Sequence, residues 1–260
     1  MFVSLTTDFG HAYTAICAGV IHRIAPGATV LVLSDEVTPY AIVEGALLLR
    51  QSLPYLPVGV HVAVVDPGVG TPRRPVAVRT GRGDTLVGPD NGLLVPAAER
   101  LGGLERAHVL ANPAYRLPEV SASFHGRDIF SPAAAHLAAG AGIADLGPRA
   151  EELERPGIPA PEIGDGELRT AVLYTDRFGS LILSATPGDL QRALGPVAPG
   201  TPLAATETIP FVTTYGDVPA GAPLIWADSS GQLGLAVNRG SAADRYGLAA
   251  GAALTLRRAD

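Results

Sequence analysis

The sequence predicts an α/β protein, in which an N-terminal domain with a mostly parallel sheet flanked by helices precedes a smaller, mainly antiparallel β domain. In the first half, β-branched runs alternate with Ala- and Leu-rich helical stretches. After a Pro-, Glu- and Gly-rich segment at residues 141–168, the pattern changes to short β segments separated by turn residues. The 260 residues are 47% hydrophobic and 17% charged, which is enough apolar chain for a core in each part.

The elements of the first half follow one another in a regular order. We predict strands at residues 2–6, 29–33 and 59–65, with helices at 12–24 and 41–52 between them. Strands separated by helices are typical of a parallel sheet. Two shorter β segments and one helix are predicted further along, at residues 75–79, 84–88 and 131–140.

The second half has the texture of a separate β domain. The segment at 141–168 is the best linker candidate, so we expect domains at residues 1–160 and 161–260. Within the second domain only residues 187–194 have a helical pattern.

Composition excludes several classes of function. The net charge of -6 argues against a nucleic-acid partner. All 19 basic residues are Arg, which excludes a Schiff-base lysine and a Walker A lysine. The single cysteine, Cys17, excludes an internal disulfide and a Cys-rich metal site. The N-terminus lacks a basic leader and the apolar runs are interrupted, so we expect no membrane segment and a cytoplasmic location.

Two aspartates follow predicted strands, where ligands of parallel sheets bind. Asp8 ends the first strand in TTDFG, and Asp66 ends the third in VVDPGVGTPRR. Either could simply form a turn or cap a helix. Asp66 has a further feature, because Arg73 and Arg74 follow within one loop and a returning arginine would keep the aspartate ionised and oriented.

Two further polar motifs lie between these strands and the linker. Asp90 and Asn91 precede Gly92 in a strong turn motif. The motif could be only a structural reversal of the chain, and this interpretation is at least as well supported as a role in binding a ligand. His125 stands beside Asp128 in SFHGRD, where Asp128 is expected to cap the following helix. The residues that could together hold a metal are Asp8, Asp66, Asp90, His125 and Asp128. No two of them have the close sequence spacing of a specific metal site, so we expect no metal.

The second domain adds a weaker set of candidates. Asp176 ends a strand beside Phe178, a pairing that suits a flat or amino-bearing ligand, although a turn aspartate and a core phenylalanine are the default interpretation. Ser229 and Asn238 lie on either side of one predicted strand.

Taken in order, six motifs resemble the S-adenosyl-L-methionine (SAM) hydroxide adenosyltransferase family, hydrolytic relatives of the SAM-dependent fluorinase and chlorinase. The resemblance spans nearly the whole chain through TTDFG, VDPGVGTPRR, PDNGLL, SFHGRD, TDRFG and the tail with SSG, LAVN and GSAA. It implies an α/β domain and a β-rich domain assembled as a homotrimer, with SAM bound between neighbouring subunits. It also implies that SAM is a substrate and that there is no separate cofactor.

The resemblance implies that water cuts SAM at C5′, giving adenosine and methionine. The family's catalytic set falls on Asp66, Arg73 and His125. Asp8 would bind the ribose diol, with Tyr40 beside the sugar. The remaining substrate-binding positions implied by the family are Asp176 and Ser229 for the methionine end and Phe178, Ser180 and Asn238 near the adenine or methionine.

Two features favour water over halide. Halogenating relatives carry Tyr in place of Asp66 and lack the pair formed by His125 and Gly126, and the fluorinase has a long insertion before its version of PDNGLL. The chain departs from the family at Tyr13, where an acid is usual, and at Ser180, where Asn is usual. The alternatives are a SAM-dependent halogenase, a non-catalytic SAM- or adenosine-binding protein and a metal-dependent phosphoesterase.

Overall fold

The computed structural model describes residues 1–259 and divides into two compact units, with the division between Gly157 and Ile158. The mixed α/β class with a β-rich second part is confirmed. None of the helices within residues 1–259 combines the length and the apolar character needed to cross a bilayer.

The N-terminal unit is built on one seven-stranded sheet in the order β2-β1-β3-β5-β4-β6-β7. Its strands are β1 (Phe2–Thr7), β2 (Thr29–Ser34), β3 (Val60–Val64), β4 (Pro75–Thr80), β5 (Thr85–Pro89), β6 (Leu104–Val109) and β7 (Arg149–Ala150). The first four strands of that order are parallel, whereas β4, β6 and β7 pair antiparallel. The prediction of a mostly parallel sheet therefore fits only in part: it holds for β2, β1, β3 and β5 but not for the pairs made by β4, β6 and β7. The short turn at 81–84 can join β4 to β5 only as an antiparallel pair.

Helices cover both faces of this sheet. They are α1 (His11–Ile24), α2 (Ile42–Ser52), α3 (Val95–Arg100) and α4 (Ser131–Ala138). Helices α1 and α4 contact each other over one apolar cluster with Leu5 and Phe130, and α2 and α3 contact each other over a second cluster with Leu49 and Leu93. Strand β3 is buried along its whole length, as expected for a strand covered on both faces.

The C-terminal unit is a barrel. Its strands are β8 (Glu162–Ile163), β9 (Glu167–Thr175), β10 (Leu181–Leu183), β11 (Pro202–Ala204), β12 (Thr208–Val212), β13 (Pro223–Ala227), β14 (Leu233–Val237) and β15 (Ala253–Arg258), with helices α5 (Pro187–Leu194) and α6 (Ala242–Tyr246). Strand β9 pairs with β15 through its first half and with β10 through its second half, which closes seven strands into a ring.

Most pairs in the barrel are antiparallel, but β12 and β13 run parallel. The sequence analysis did not predict this parallel pair or the closure. Closure depends on one nine-residue strand serving two neighbours, which no local pattern encodes.

Candidate active site

The parallel pairing of β1 with β3 brings two carboxylates to the same edge of the N-terminal sheet. Thr7 is in register with Val64, so Asp8 and Asp66 both lie just beyond the carboxyl ends of neighbouring strands. Both side chains line a cavity of about 90 Å³, together with Tyr40 and His125.

Asp66 is held by a bidentate ion pair with Arg73. The Arg73 guanidinium donates through Nε to Asp66 Oδ1 at 3.1 Å and through Nη2 to Oδ2 at 2.5 Å. The two side chains are only 5% and 7% exposed, so solvent screens the pair weakly. Gly70 lets the loop return, since its φ is +79° and a Cβ there would lie 2.8 Å from the Ala122 carbonyl oxygen. The contact between Asp66 and Arg73 that the sequence predicts is present.

The same guanidinium also determines the state of His125. Arg73 Nη2 lies 3.0 Å from His125 Nδ1, and because a guanidinium only donates, Nδ1 must accept. The neutral ring then carries its proton on Nε2. Burial, with the nearby Arg73 charge, lowers the pKa of His125 below its usual 6.5. His125 is thus neutral near pH 7 and offers a donor, not an acceptor, from its outer nitrogen.

Asp8 and Tyr40 form a second fixed contact at the cavity. The Tyr40 backbone N–H donates to Asp8 Oδ2 at 2.9 Å, while Tyr40 has a φ of 69° that side-chain-bearing residues rarely adopt. Such strain persists where surrounding contacts support it. Burial raises the pKa of Asp8 above its usual 3.8, the Tyr40 bond partly offsets this rise, and the Asp66 charge adds to it.

Next to this cavity lies a second one of about 460 Å³ with aromatic walls. Phe9 and Phe124 line both cavities, and the Phe124 ring is in edge-to-face contact with Phe9 and with Tyr13, at centroid distances of 5.7 and 5.5 Å. The sequence analysis missed both phenylalanines as site residues. Their positions beside Asp8 and His125 in the motifs were the available signal.

The C-terminal unit contains its own pocket, of about 630 Å³. Four residues singled out from the sequence line it: Asp176, Phe178, Ser180 and Asn238. Ser229 is exposed in the turn between β13 and β14 and does not line this pocket.

Asp176 shapes one wall of the C-terminal pocket. Its Oδ1 accepts the backbone N–H groups of Phe178 and Ser180, both at 2.8 Å, and neither bond uses Oδ2. Gly179 is required inside this turn, because a Cβ there would lie 2.3 Å from Ser241 Oγ. The pocket is also lined by Tyr215, which packs on Trp226 at a centroid distance of 5.1 Å and which the sequence analysis missed.

Comparison with known protein families shows which family the chain belongs to. The SAM hydroxide adenosyltransferase N-terminal domain matches residues 3–147, and the C-terminal domain of the same family matches residues 170–255. The chain belongs to the SAM hydroxide adenosyltransferase family.

Individual relatives and a solved structure support this family assignment. An "(R)-S-adenosyl-L-methionine hydrolase" from Salinispora arenicola is 45% identical, over 94% of this chain and 92% of that protein. A fluorinase from an Actinoplanes species is 28% identical, over 99% of this chain and 97% of that protein. A solved structure of an uncharacterized conserved protein from Thermotoga maritima superposes with a TM-score of 0.88 and 29% identity, covering 99% of this chain and 100% of that one.

In this member of the SAM hydroxide adenosyltransferase family, two of the polar residues singled out from the sequence, Asp90 and Asp128, do not line the cavity of about 90 Å³. Asp90 is bound by Arg74, and Asp128 accepts from Arg127 and from the Ser121 amide. The prediction that Asp128 caps α4 is wrong, because Asp128 lies inside the preceding helical turn Gly126–Phe130. Within residues 1–259, no three His, Cys, Asp or Glu side chains are grouped as metal ligands.

Proposed function

We propose that this chain hydrolyses SAM at C5′, giving adenosine and L-methionine. The observation that carries the proposal is the buried Asp66 carboxylate, held by Arg73 at the wall of a small cavity that Asp8 and His125 also line. Three relatives named (R)-SAM hydrolase support it, since they are 43–45% identical to this chain over most of its length.

The chemistry requires a positioned water more than an acid. The C5′–S bond breaks with its electron pair going to sulfur, so methionine leaves as a neutral thioether and needs no proton. The water oxygen forms the new bond to C5′, and holding it in line lowers the barrier through proximity. Asp66 takes the proton of the attacking water, because His125 Nδ1 already accepts from Arg73. His125 orients the water by donating from Nε2.

The sugar is held by Asp8 and Tyr40. Asp8 Oδ2 accepts one backbone N–H, and a carboxylate with about four acceptor sites can still accept two hydroxyl donors from a ribose diol. The ring of Tyr40 is exposed and available to pack on the sugar.

The rest of SAM is bound by the C-terminal pocket of a neighbouring subunit in a homotrimer. The cavity of about 90 Å³ is too small for a ligand of this size, whose sites usually span about 300–1,000 Å³. Within that pocket Asp176 holds the amino group, and Phe178, Ser180 and Asn238 lie near the adenine or methionine. Ser229 would bind the carboxylate group from the turn between β13 and β14, outside this pocket. No metal or cofactor takes part, and the reaction occurs in the cytoplasm.

The preferred substrate is the (R) epimer at sulfur. Relatives are named for (R)-SAM, and a sulfonium with three different substituents is a stable stereocentre.

The deciding experiment incubates the protein with each SAM epimer and measures products by chromatography. We expect adenosine and methionine in equal amounts, faster from the (R) epimer and at the same rate with EDTA. Chloride-containing buffer serves as the control, because formation of 5′-chloro-5′-deoxyadenosine would indicate a halogenase instead. Absence of adenosine with enzyme in excess over SAM would refute the proposed function.

The pH dependence of kcat/KM provides a second test. Asp8 must be ionised and has a pKa raised above 3.8, while His125 must be neutral and has a pKa lowered below 6.5. Lowering the pH protonates both groups, so kcat/KM is expected to fall in acid, with the step due to His125 centred below pH 6.5 and the step due to Asp8 centred above pH 3.8. Circular dichroism at each pH controls for acid unfolding. An acid limb centred above pH 6.5 would contradict the state assigned to His125.

A further inference from the structure

We propose that Asp90 and Asn91 are positioning residues that hold the two ends of the loop carrying Asp66 and Arg73. This inference rests on the proposed function for its kinetic consequence, but the contacts themselves do not depend on it. The sequence alone leaves two interpretations of the pair open, a structural reversal between β5 and α3 and a ligand role. A reversal requires only backbone geometry, whereas here both side chains reach the same loop.

Asn91 holds the beginning of the loop. Its Nδ2 donates to the Val65 carbonyl oxygen at 2.9 Å, and Val65 is fully buried and directly precedes Asp66. The orientation of the amide is itself fixed, because Oδ1 accepts the Leu93 backbone N–H at 3.2 Å. The peptide that leads into the proton acceptor therefore has a defined position.

Asp90 holds the end of the loop. Its Oδ2 accepts from Arg74 Nε at 2.9 Å and from Arg74 Nη2 at 2.5 Å, and Arg74 directly follows Arg73. The backbone N–H of Asp90 also donates to the Arg74 carbonyl oxygen at 2.9 Å. The carboxylate is 3% exposed, and its Oδ1 accepts the Glu154 backbone N–H, which ties the turn to a third segment.

The turn that presents these side chains is itself rigid. Gly92 has a φ of +96°, and a Cβ at this position would lie 2.4 Å from the Pro156 nitrogen. Neither Asp90 nor Asn91 is among the described residues lining the cavity of about 90 Å³, so both act through the loop. Since a displacement of about 1 Å at the reacting groups can cost about 10²-fold in rate, such fixation has a measurable effect.

The test compares Asn91→Ala with Asn112→Ala. Asn112 makes the same kind of bridge, with Nδ2 donating to the Asp145 carbonyl oxygen at 2.8 Å and Oδ1 accepting the Ala114 N–H at 3.0 Å, but it does not contact the loop. We expect kcat for SAM hydrolysis to fall about 10- to 100-fold in Asn91→Ala with little change in KM, because the binding groups remain. Asn112→Ala is expected to lose less thermal stability, because its hydrogen bonds are exposed whereas those of Asn91 are partly buried, and to keep its kcat.

A second variant and a structural readout complete the test. Asp90→Asn keeps the shape of the side chain but removes the charge facing Arg74, and a smaller fall in kcat is expected. Crystal structures of the variants report directly whether Asp66 and Arg73 have moved. Should the wild type form no adenosine, the proposed function fails, while the loop position in Asn91→Ala still tests the inference. An unmoved loop, or equal loss of kcat in the Asn91 and Asn112 variants, would overturn it.

Discussion

Asp66→Asn is expected to lower kcat for SAM hydrolysis by about 10³-fold, within the range of about 10²–10⁴ for loss of a general base. An amide has nearly the same shape as a carboxylate but cannot take the proton of the attacking water. The affinity for SAM should change little, because the proposed ribose-binding carboxylate of Asp8 is held by the Tyr40 backbone N–H and not by a hydrogen bond to Asp66. The expected effect is thus on kcat and not on KM.

Single-turnover rates and calorimetric binding of SAM measure the two quantities separately. Asp145→Asn is the control for the loss of a carboxylate, since the exposed Asp145 side chain accepts the backbone N–H of Gly142 in a turn and lies outside the cavity lining. Circular dichroism establishes that the variant is folded, which matters because Arg73 loses its charged partner. If Asp66→Asn retained a rate within about tenfold of the wild type, Asp66 would not be the proton acceptor.

Of the substitutions proposed, Asp84→Asn is expected to destabilise the fold most. It should lower the free energy of unfolding by about 3–5 kcal/mol, as is usual when one partner of a buried ion pair is removed. Asp84 and His61 have fully buried side chains. Asp84 Oδ1 lies 3.1 Å from His61 Nε2, and Ser4 Oγ lies 2.8 Å from His61 Nδ1. Arg82 donates to Asp84 through Nε at 2.7 Å and through Nη2 at 2.9 Å. Removing the charge leaves Arg82 facing a neutral amide.

The pH dependence of unfolding gives this prediction a direction. Burial alone would raise the pKa of Asp84, but hydrogen bonds from His61, Arg82 and the Gly59 amide outweigh burial and hold the pKa well below 3.8. A depressed folded pKa contributes stability that is present above the unfolded value and is lost as the pH falls below it. The free energy of unfolding of Asp84→Asn should therefore depend less on pH in acid than that of the wild type.

Denaturant unfolding of the variant at pH 7 checks the magnitude. Glu99→Gln is the control, because Glu99 and its partner Arg155 are 52% and 71% exposed and such pairs contribute about 0–1 kcal/mol. The activity per folded molecule should be unchanged, since neither Asp84 nor His61 lines the cavity of about 90 Å³ that contains Asp66. A loss no greater than that of Glu99→Gln would contradict the prediction.

Local patterns were sufficient for most of the elements and for the contact between Asp66 and Arg73. The strands and helices of the first 65 residues lie where periodicity predicts them, because their cores need apolar residues at regular spacing. Asp66 and Arg73 are seven residues apart in a loop with two glycines, so their meeting depends on a short stretch of chain. The prediction that Asp128 caps α4 also came from a local pattern. It is wrong because an additional helical turn, Gly126–Phe130, precedes α4 and contains Asp128.

By itself, the sequence determined the α/β class, the carboxylates at the strand ends and the family, since each depends on residues close together or on motifs in order. Only the tertiary structure decided that Arg73 contacts a histidine 52 positions away, that β9 closes a barrel, and that Asp90 and Asn91 hold both ends of the Asp66 loop. The physical reason is that these features are contacts between distant segments. Their geometry is set by packing of the whole domain and not by local conformational preference.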